Sequence, residues 1–251
     1  KNILLEKKLS LTLFCFLLAL YAPFILYGDF VRDDWFLRDL KQETAVTAFN
    51  TLLGAFSNRP FAMIFFWVTS RLSDAFIFYL ILDLIIIFFS IILVFKIFEE
   101  FFQDFFIKVT FLVSLMIPIY SMTNIFSPGM QILGHISLLI WSLSLYSQKI
   151  FLETKNKKYL FLSFILIPFM LLTYESAFPL IGLSFFYSIF KKQTKYTLLI
   201  SLLLFSGVAI AFLVQKFFLP LFVDDISRFR VENENAIFIL RLILINIALQ
   251  I

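Results

Sequence analysis

Residues 75–97 read AFIFYLILDLIIIFFSIILVFKI, an apolar run interrupted by one aspartate, Asp83, and closed by one lysine, Lys96. Such a run meets the ~20 apolar residues a helix needs to cross a hydrocarbon layer of ~30 Å. Working outward, comparable stretches occupy 9–27, 107–125, 131–148, 159–176, 177–190, 196–216 and 236–251. The pattern predicts an all-α, polytopic membrane protein with about eight transmembrane helices, forming a single transmembrane domain over 1–251. The sixth stretch is short, and the eighth runs into the end of the chain. The first is read as a retained helix rather than a signal peptide, because its apolar stretch is long and no A-x-A site precedes Asp29. A chain that starts at Lys1 and ends in an apolar run at Ile251 is expected to be a piece of a longer one.

Composition agrees. The 251 residues are 61% hydrophobic and 15% charged, with a mean hydropathy of +0.96. A soluble domain carries roughly a quarter charged residues, and one of this size cannot hide so much apolar surface in its own core. The bilayer is the expected solvent, and no nucleic acid is expected as a partner. The lone Cys15 offers no disulfide framework, and the lone His135 cannot build a histidine metal centre by itself. No fixed-period repeat is present.

The basic residues set an orientation. With the N-terminus inside, the cytoplasmic segments hold twelve cations, all lysine, among them Lys96, Lys149, Lys155 and Lys191. The opposite side holds eight, six of them arginine. The excess obeys the positive-inside rule. Topology needs only charge, so the outer arginines suggest bidentate recognition of a carboxylate or phosphate; chance with local ion pairs is the alternative.

That places residues 28–74 in an extracytoplasmic loop, opening with GDFVRDDWFLRD (28–39). Over 35–56 the helical spacing puts Trp35, Leu37 and Leu40 toward lipid, and Arg38, Asp39 and Lys41 toward water. The apolar 61–69 is flanked by Arg59 and Arg71, and Pro60 suits a first helical turn. Both stretches read as interfacial helices. The alternative for 60–72 is that it begins the second span as one long, tilted helix.

Ionisable residues in or beside spans are costly and tend to be functional. Here they gather at the outer side: Asp33 and Asp34 after the first span, Asp83 in the second, His135 in the fourth and Glu175 beside Tyr174 at the end of the fifth. Asp83 has the alternative of bonding a neighbouring helix, His135 of a satisfied interfacial histidine, and Glu175 of marking a tight turn. Asp224 and Asp225 fit a solvated loop. Asp33 and Asp34 are harder to dismiss, since adjacent carboxylates repel unless a cation, a metal or a shared proton intervenes. An acidic, arginine-bearing pocket at the outer membrane face suits a lipid-phosphate substrate. In sugar transfer a carboxylate takes the proton of an acceptor hydroxyl. The leaving lipid phosphate needs charge stabilisation, which arginine supplies.

At these residues the chain resembles the GT-C superfamily of polytopic glycosyltransferases, which carry an acidic pair in the first extracytoplasmic loop with interfacial helices behind it. The matching residues are Asp33 and Asp34 in RDDW. NRPF (58–61) is similar to the G-R-P element of bacterial GtrII-like glucosyltransferases, with Asn58 in place of the usual glycine, and TYES (173–176) looks like a Y-E element of related members. The resemblance covers about residues 1–190. It implies transfer of a sugar from a polyprenyl-phosphate donor to a glycan or other envelope acceptor outside the cytoplasm, with inversion, in a bacterial inner membrane. Asp33 would be the catalytic base and Asp34 its partner. Arg59 and Arg71 would bind the donor phosphate, and Glu175, Tyr174 and His135 would shape the sugar or acceptor site. Some members hold a divalent metal at the acidic pair; the sequence leaves that open. A transporter or flippase for a lipid-linked saccharide is the rival reading, and a lipid-carrier polymerase or ligase a third.

Overall fold

The computed structural model describes residues 11–19, 21–22, 35–56, 59–101, 107, 110, 128–174, 177–191 and 194–218. Among these, every regular element is helical and no strand occurs. Helix α1 comprises 11–19 and 21–22. It is followed by α2 (Trp35–Leu40), α3 (Ala45–Ala55), α4 (Pro60–Leu72) and α5 (Phe76–Phe98). After a 3-10 turn (Glu99–Phe101) come α6 (Pro128–Thr154), α7 (Lys157–Thr173), α8 (Pro179–Phe190) and α9 (Thr194–Leu213), the last running into a π-helical turn (Val214–Phe218).

Among the described residues two helical runs are long and apolar enough to cross a membrane, Phe76–Phe101 and Tyr196–Phe217. This is fewer than the eight expected spans, for identifiable reasons. The eighth segment and, apart from Ile107 and Thr110, the third lie outside the described residues, and the first is described only over 11–19 and 21–22. The α8 helix has 12 residues, about 18 Å at ~1.5 Å each. The α7 helix stops at 17 residues. The α6 helix has 27, but Gln131, His135 and Gln148 interrupt its apolar run, and its buried side carries serines.

That buried side organises the bundle. Ser137, Trp141, Ser144 and Gln148 follow one another at helical spacing, so they share a face, and all four are buried. Ser137 donates to the Met170 carbonyl (3.3 Å). Trp141 Nε1 donates to Ser184 Oγ (3.0 Å). Ser144 Oγ lies 2.9 Å from Ser163 Oγ, and Gln148 Nε2 donates to that same hydroxyl (3.0 Å). Meanwhile Phe161, Leu198, Leu202, Phe205 and Phe186 are exposed. Small polar groups set within an otherwise apolar interior, with large apolar groups outside, suit a hydrocarbon solvent, in which interhelical hydrogen bonds and small residues join the helices. At Gly207 of α9 the backbone comes so close to α7 that an added Cβ would sit 2.9 Å from Ile167 Cγ2.

The two ends of the bundle differ. Just beyond α5, Glu100 accepts from Tyr187 Oη (3.2 Å), pairs with Lys191 and lies 3.9 Å from Lys149. These contacts bring the C-terminal ends of α5, α6 and α8 together. The α6–α7 turn closes at the same end, where Lys155 takes a left-handed φ of 59° and sets its ammonium 4.3 Å over the Tyr196 ring.

The opposite end is crossed by α4. Its start packs on the end of α7, with Phe61 and Phe169 ring centroids 4.3 Å apart. Its end leads into α5 through extended Ser73, whose N–H donates to the Thr69 carbonyl (3.0 Å). Residues 60–72 are therefore a helix separate from 76–98, which answers the one-long-helix alternative. The stretch 35–56 also divides, because Thr44 caps a new helix by accepting from the Thr47 N–H (3.2 Å). Leu40 does not face lipid as the sequence suggested. It is 1% exposed and packs with Ala48, Leu52 and Phe56 against Ala62, Met63 and Phe66 of α4.

Candidate functional site

Arg59 and Tyr174 come from distant parts of the chain and meet at the end crossed by α4, with the Arg59 guanidinium carbon 4.9 Å from the Tyr174 ring centroid. Local structure fixes both. Arg59 is the N-cap residue of α4, directly before Pro60. Its N–H donates to the Phe56 carbonyl (2.8 Å), and its own carbonyl accepts from the Met63 N–H (3.0 Å). Tyr174 is the C-cap residue of α7, extended, its N–H donating to the Met170 carbonyl. A cation over an aromatic face gains ~0.5–2 kcal/mol. Guanidinium also donates in its own plane, the geometry that suits phosphate oxyanions.

Arg71 does different work. Nη1 donates to the Glu43 carbonyl (2.8 Å) and Nη2 to the Leu40 carbonyl. One turn earlier on α4, Trp67 Nε1 donates to the Ala45 carbonyl (3.0 Å). Spacing of four residues puts both side chains on one face of α4, where they bind carbonyls of the α2–α3 corner and tie that corner to α4. The structure thus places Arg71 on the main chain behind α2, apart from the Arg59–Tyr174 pair.

A second constellation lies within the helices. Asp83 is fully buried. Its Oδ2 accepts from Tyr21 Oη at 2.8 Å, and its Oδ1 lies 2.5 Å from His135 Nδ1. Helices α1, α5 and α6 contribute one residue each. Asp83 stands seven residues into α5 and His135 seven residues beyond Pro128, both about 10 Å from the helix starts at ~1.5 Å per residue. Two donors make a buried carboxylate supportable where an unpaired one would be prohibitive. Asp83 therefore bonds neighbouring helices, one of the two readings open from sequence. Tyr21 was not singled out in the sequence, since a tyrosine near the end of an apolar run resembles an ordinary interface aromatic. The two constellations are joined through apolar packing, because Tyr174 rests on the cluster that contains Ile132, Leu133 and Tyr79.

Asp33, Asp34 and Glu175 lie outside the described residues. Asp34 immediately precedes α2, and Glu175 immediately follows Tyr174. Among the described residues no three His, Cys, Asp or Glu side chains gather as a metal-binding group.

One electrostatic feature lies at the α4–α5 joint. Lys41 Nζ donates to Asp74 Oδ1 at 3.1 Å, and this bond holds the Asp74 carboxyl below its ordinary value.

Comparison of the chain with family models, with characterised proteins and with solved structures finds no match in any of the three.

Proposed function

We propose that this is a polytopic membrane glycosyltransferase of GT-C type, which moves a sugar from a polyprenyl-phosphate donor to an envelope glycan or other acceptor on the extracytoplasmic side. The observation that carries the reading is Arg59 against Tyr174. NRPF and TYES, read separately as family-like elements, contribute the two residues of one contact. That contact lies at the end of the bundle opposite Lys149, Lys155 and Lys191, and α2, which begins directly after Asp33 and Asp34, is tied to the same α4 by Arg71.

In this reading the prenyl chain stays in the bilayer and its phosphate meets Arg59, which stabilises charge on the departing lipid phosphate. Asp33 takes the proton of the acceptor hydroxyl as that oxygen attacks the anomeric carbon from the face opposite the phosphate, giving inversion. The arginine end faces the cell exterior and the lysine end the cytoplasm, in keeping with the positive-inside rule. The setting is a bacterial inner membrane.

The test is sugar transfer by the intact protein in membranes, from a radiolabelled polyprenyl-phosphate sugar, comparing the native chain with Asp33→Asn. Removing the base is expected to lower turnover by ~10²–10⁴-fold. Near-normal turnover by a stably folded Asp33→Asn protein would end the assignment.

A transporter or flippase of lipid-linked saccharide is the second reading. What favours it is the polar series that continues past Asp83 and His135 to Ser144, Gln148 and Ser163 deeper in the bundle. It predicts movement of fluorescent lipid-linked saccharide between leaflets without any acceptor, which the transferase reading does not.

A further inference from the structure

Elsewhere in the described bundle interior, helices are joined by neutral groups, namely Ser137, Trp141, Ser144, Gln148, Ser163 and Ser184. The α1–α5–α6 contact instead uses an aspartate and the chain's one histidine. Serine would have sufficed to pin helices, so the ionisable pair calls for a reason of its own.

Its geometry supplies one. The Asp83 carboxylate is acceptor-only when ionised. Tyr21 occupies Oδ2 and His135 Nδ1 occupies Oδ1. A neutral imidazole that donates from Nδ1 must carry its lone pair on Nε2. The carboxylate therefore selects the tautomer and fixes the ring plane, as carboxylates do behind working histidines. Among the described residues no hydrogen-bond partner faces Nε2, and the His135 side chain keeps 9% of its surface open while Asp83 keeps none. Nε2 is not sealed in, unlike Arg71 Nε and Gln148 Oε1, which are buried without a hydrogen-bond partner among the described residues. An occupant with a hydroxyl would supply the donor that this open lone pair lacks.

We infer that His135 Nε2 is a hydroxyl-binding group, that Asp83 is its positioning residue with Tyr21 holding the second carboxylate oxygen, and that the ligand is a saccharide hydroxyl of the lipid-linked sugar or its acceptor. The identity of the ligand rests on the transferase reading; the acceptor character of Nε2 rests on the geometry alone. A phosphate is the wrong partner here, because an anion beside the Asp83 carboxylate is repelled and Nε2 has no proton to offer it.

The test uses the intact protein in nanodiscs with ¹⁵N-labelled histidine, the His135 signal being identified by its loss in His135→Phe. Octyl glucoside, kept below solubilising concentration, presents hydroxyls without phosphate. Dodecyl phosphate presents phosphate without sugar. The expected spectrum has a protonated Nδ1 and a bare Nε2. Octyl glucoside shifts the Nε2 resonance and dodecyl phosphate leaves it in place. His135→Phe weakens glucoside binding about fivefold, the factor equivalent to one neutral hydrogen bond of ~1 kcal/mol. In folded Asp83→Asn the tautomer preference is lost and the glucoside shift shrinks with it.

A proton on Nε2, no response to glucoside, or an equal response to dodecyl phosphate overturns the inference, and each is read on the native chain even if Asp83→Asn does not fold. A folded Asp83→Asn protein with native tautomer and shift removes Asp83 from its role. The two proposals fail separately: a glucoside response without sugar transfer leaves the hydroxyl site and ends the transferase, whereas transfer with a silent His135 does the reverse.

Discussion

Replacing glycine by alanine should destabilise this bundle at one position and stabilise it at two others. At Gly207 of α9, a new Cβ would lie 2.9 Å from Ile167 Cγ2, 3.0 Å from Ile167 Cβ and 3.5 Å from Pro168 Cδ. Those atoms cannot easily withdraw. Ile167 is fully buried, its β-branched side chain has essentially one rotamer in a helix, and the proline beside it lies within α7 and fixes the backbone there. Overpacking of this kind costs ~1–3 kcal/mol. Removing a helical glycine returns ~0.5–1 kcal/mol. The net is a loss of roughly 0.5–2 kcal/mol, equivalent to a fall of about 1–8 °C in Tm for a chain of this size. At Gly182 of α8 and Gly134 of α6 nothing lies within 4 Å of the added Cβ. There the propensity gain stands alone, and a rise of about 1–4 °C is expected. Thermal unfolding followed by tryptophan fluorescence in one detergent measures all three variants on the same scale. A Gly207→Ala protein as stable as Gly182→Ala would refute the close α7–α9 approach.

Four further outcomes follow from named contacts. Tyr21→Phe should cost ~1.5–3 kcal/mol, as for a hydrogen bond to a charged acceptor; a loss under ~0.5 kcal/mol in chemical denaturation would mean that Asp83 does not depend on that donor. A double-mutant cycle of Ser144→Ala and Ser163→Ala should give a coupling of about 0.6 kcal/mol, the usual size of such bonds in membrane bundles, and zero coupling would count against the serine contact. Arg71→Lys should release the α2–α3 corner, because an ammonium cannot serve the Leu40 and Glu43 carbonyls as a fork does; limited proteolysis should then cut within 41–44 while leaving the native chain whole. The Lys41–Asp74 bond lowers the Asp74 pKa. Its contribution is therefore fully present above the unfolded carboxyl value near 3.8, and it fades as pH falls through the lower folded value. The Tm difference between native and Lys41→Ala should accordingly be flat from pH 5 to 8 and shrink below pH 4; a difference that grows on acidification would contradict the bond.

Much of this architecture was legible where one rule acted alone. The sequence bounds the second apolar run at 75–97 and the helix spans Phe76–Phe98, because Asp74 and Glu99 bracket a stretch in which only Asp83 and Lys96 are charged. Pro60 was rightly read as the first turn of its own helix. The division of 35–56 was not visible, since helical spacing continues through 41–44 and only the Thr44 cap breaks it. Nor was the destination of Leu40, because an apolar residue on an amphipathic face looks the same whether lipid or α4 covers it. The serine face of α6 was missed for a related reason: serine is nearly neutral in hydropathy, so Ser137, Ser144 and Ser163 leave little mark on an apolar run although they decide which helices touch. For the candidate site, Arg59, Tyr174, Asp83 and His135 stood out as polar residues out of place, but their pairing depends on contacts between elements far apart in sequence. Arg71 looked like Arg59 in the sequence, and only its two carbonyl partners distinguish it.

The most direct measurement is to map where a polyprenyl phosphate bearing a photoreactive group beside its phosphate attaches to the intact protein in membranes. Attachment is expected within 56–67 and 169–178, around Arg59 and Tyr174, and should weaken in Arg59→Ala. Attachment concentrated instead around Glu100, Lys149 and Lys191, at the lysine end, would contradict the placement of the donor phosphate on which the proposed chemistry depends.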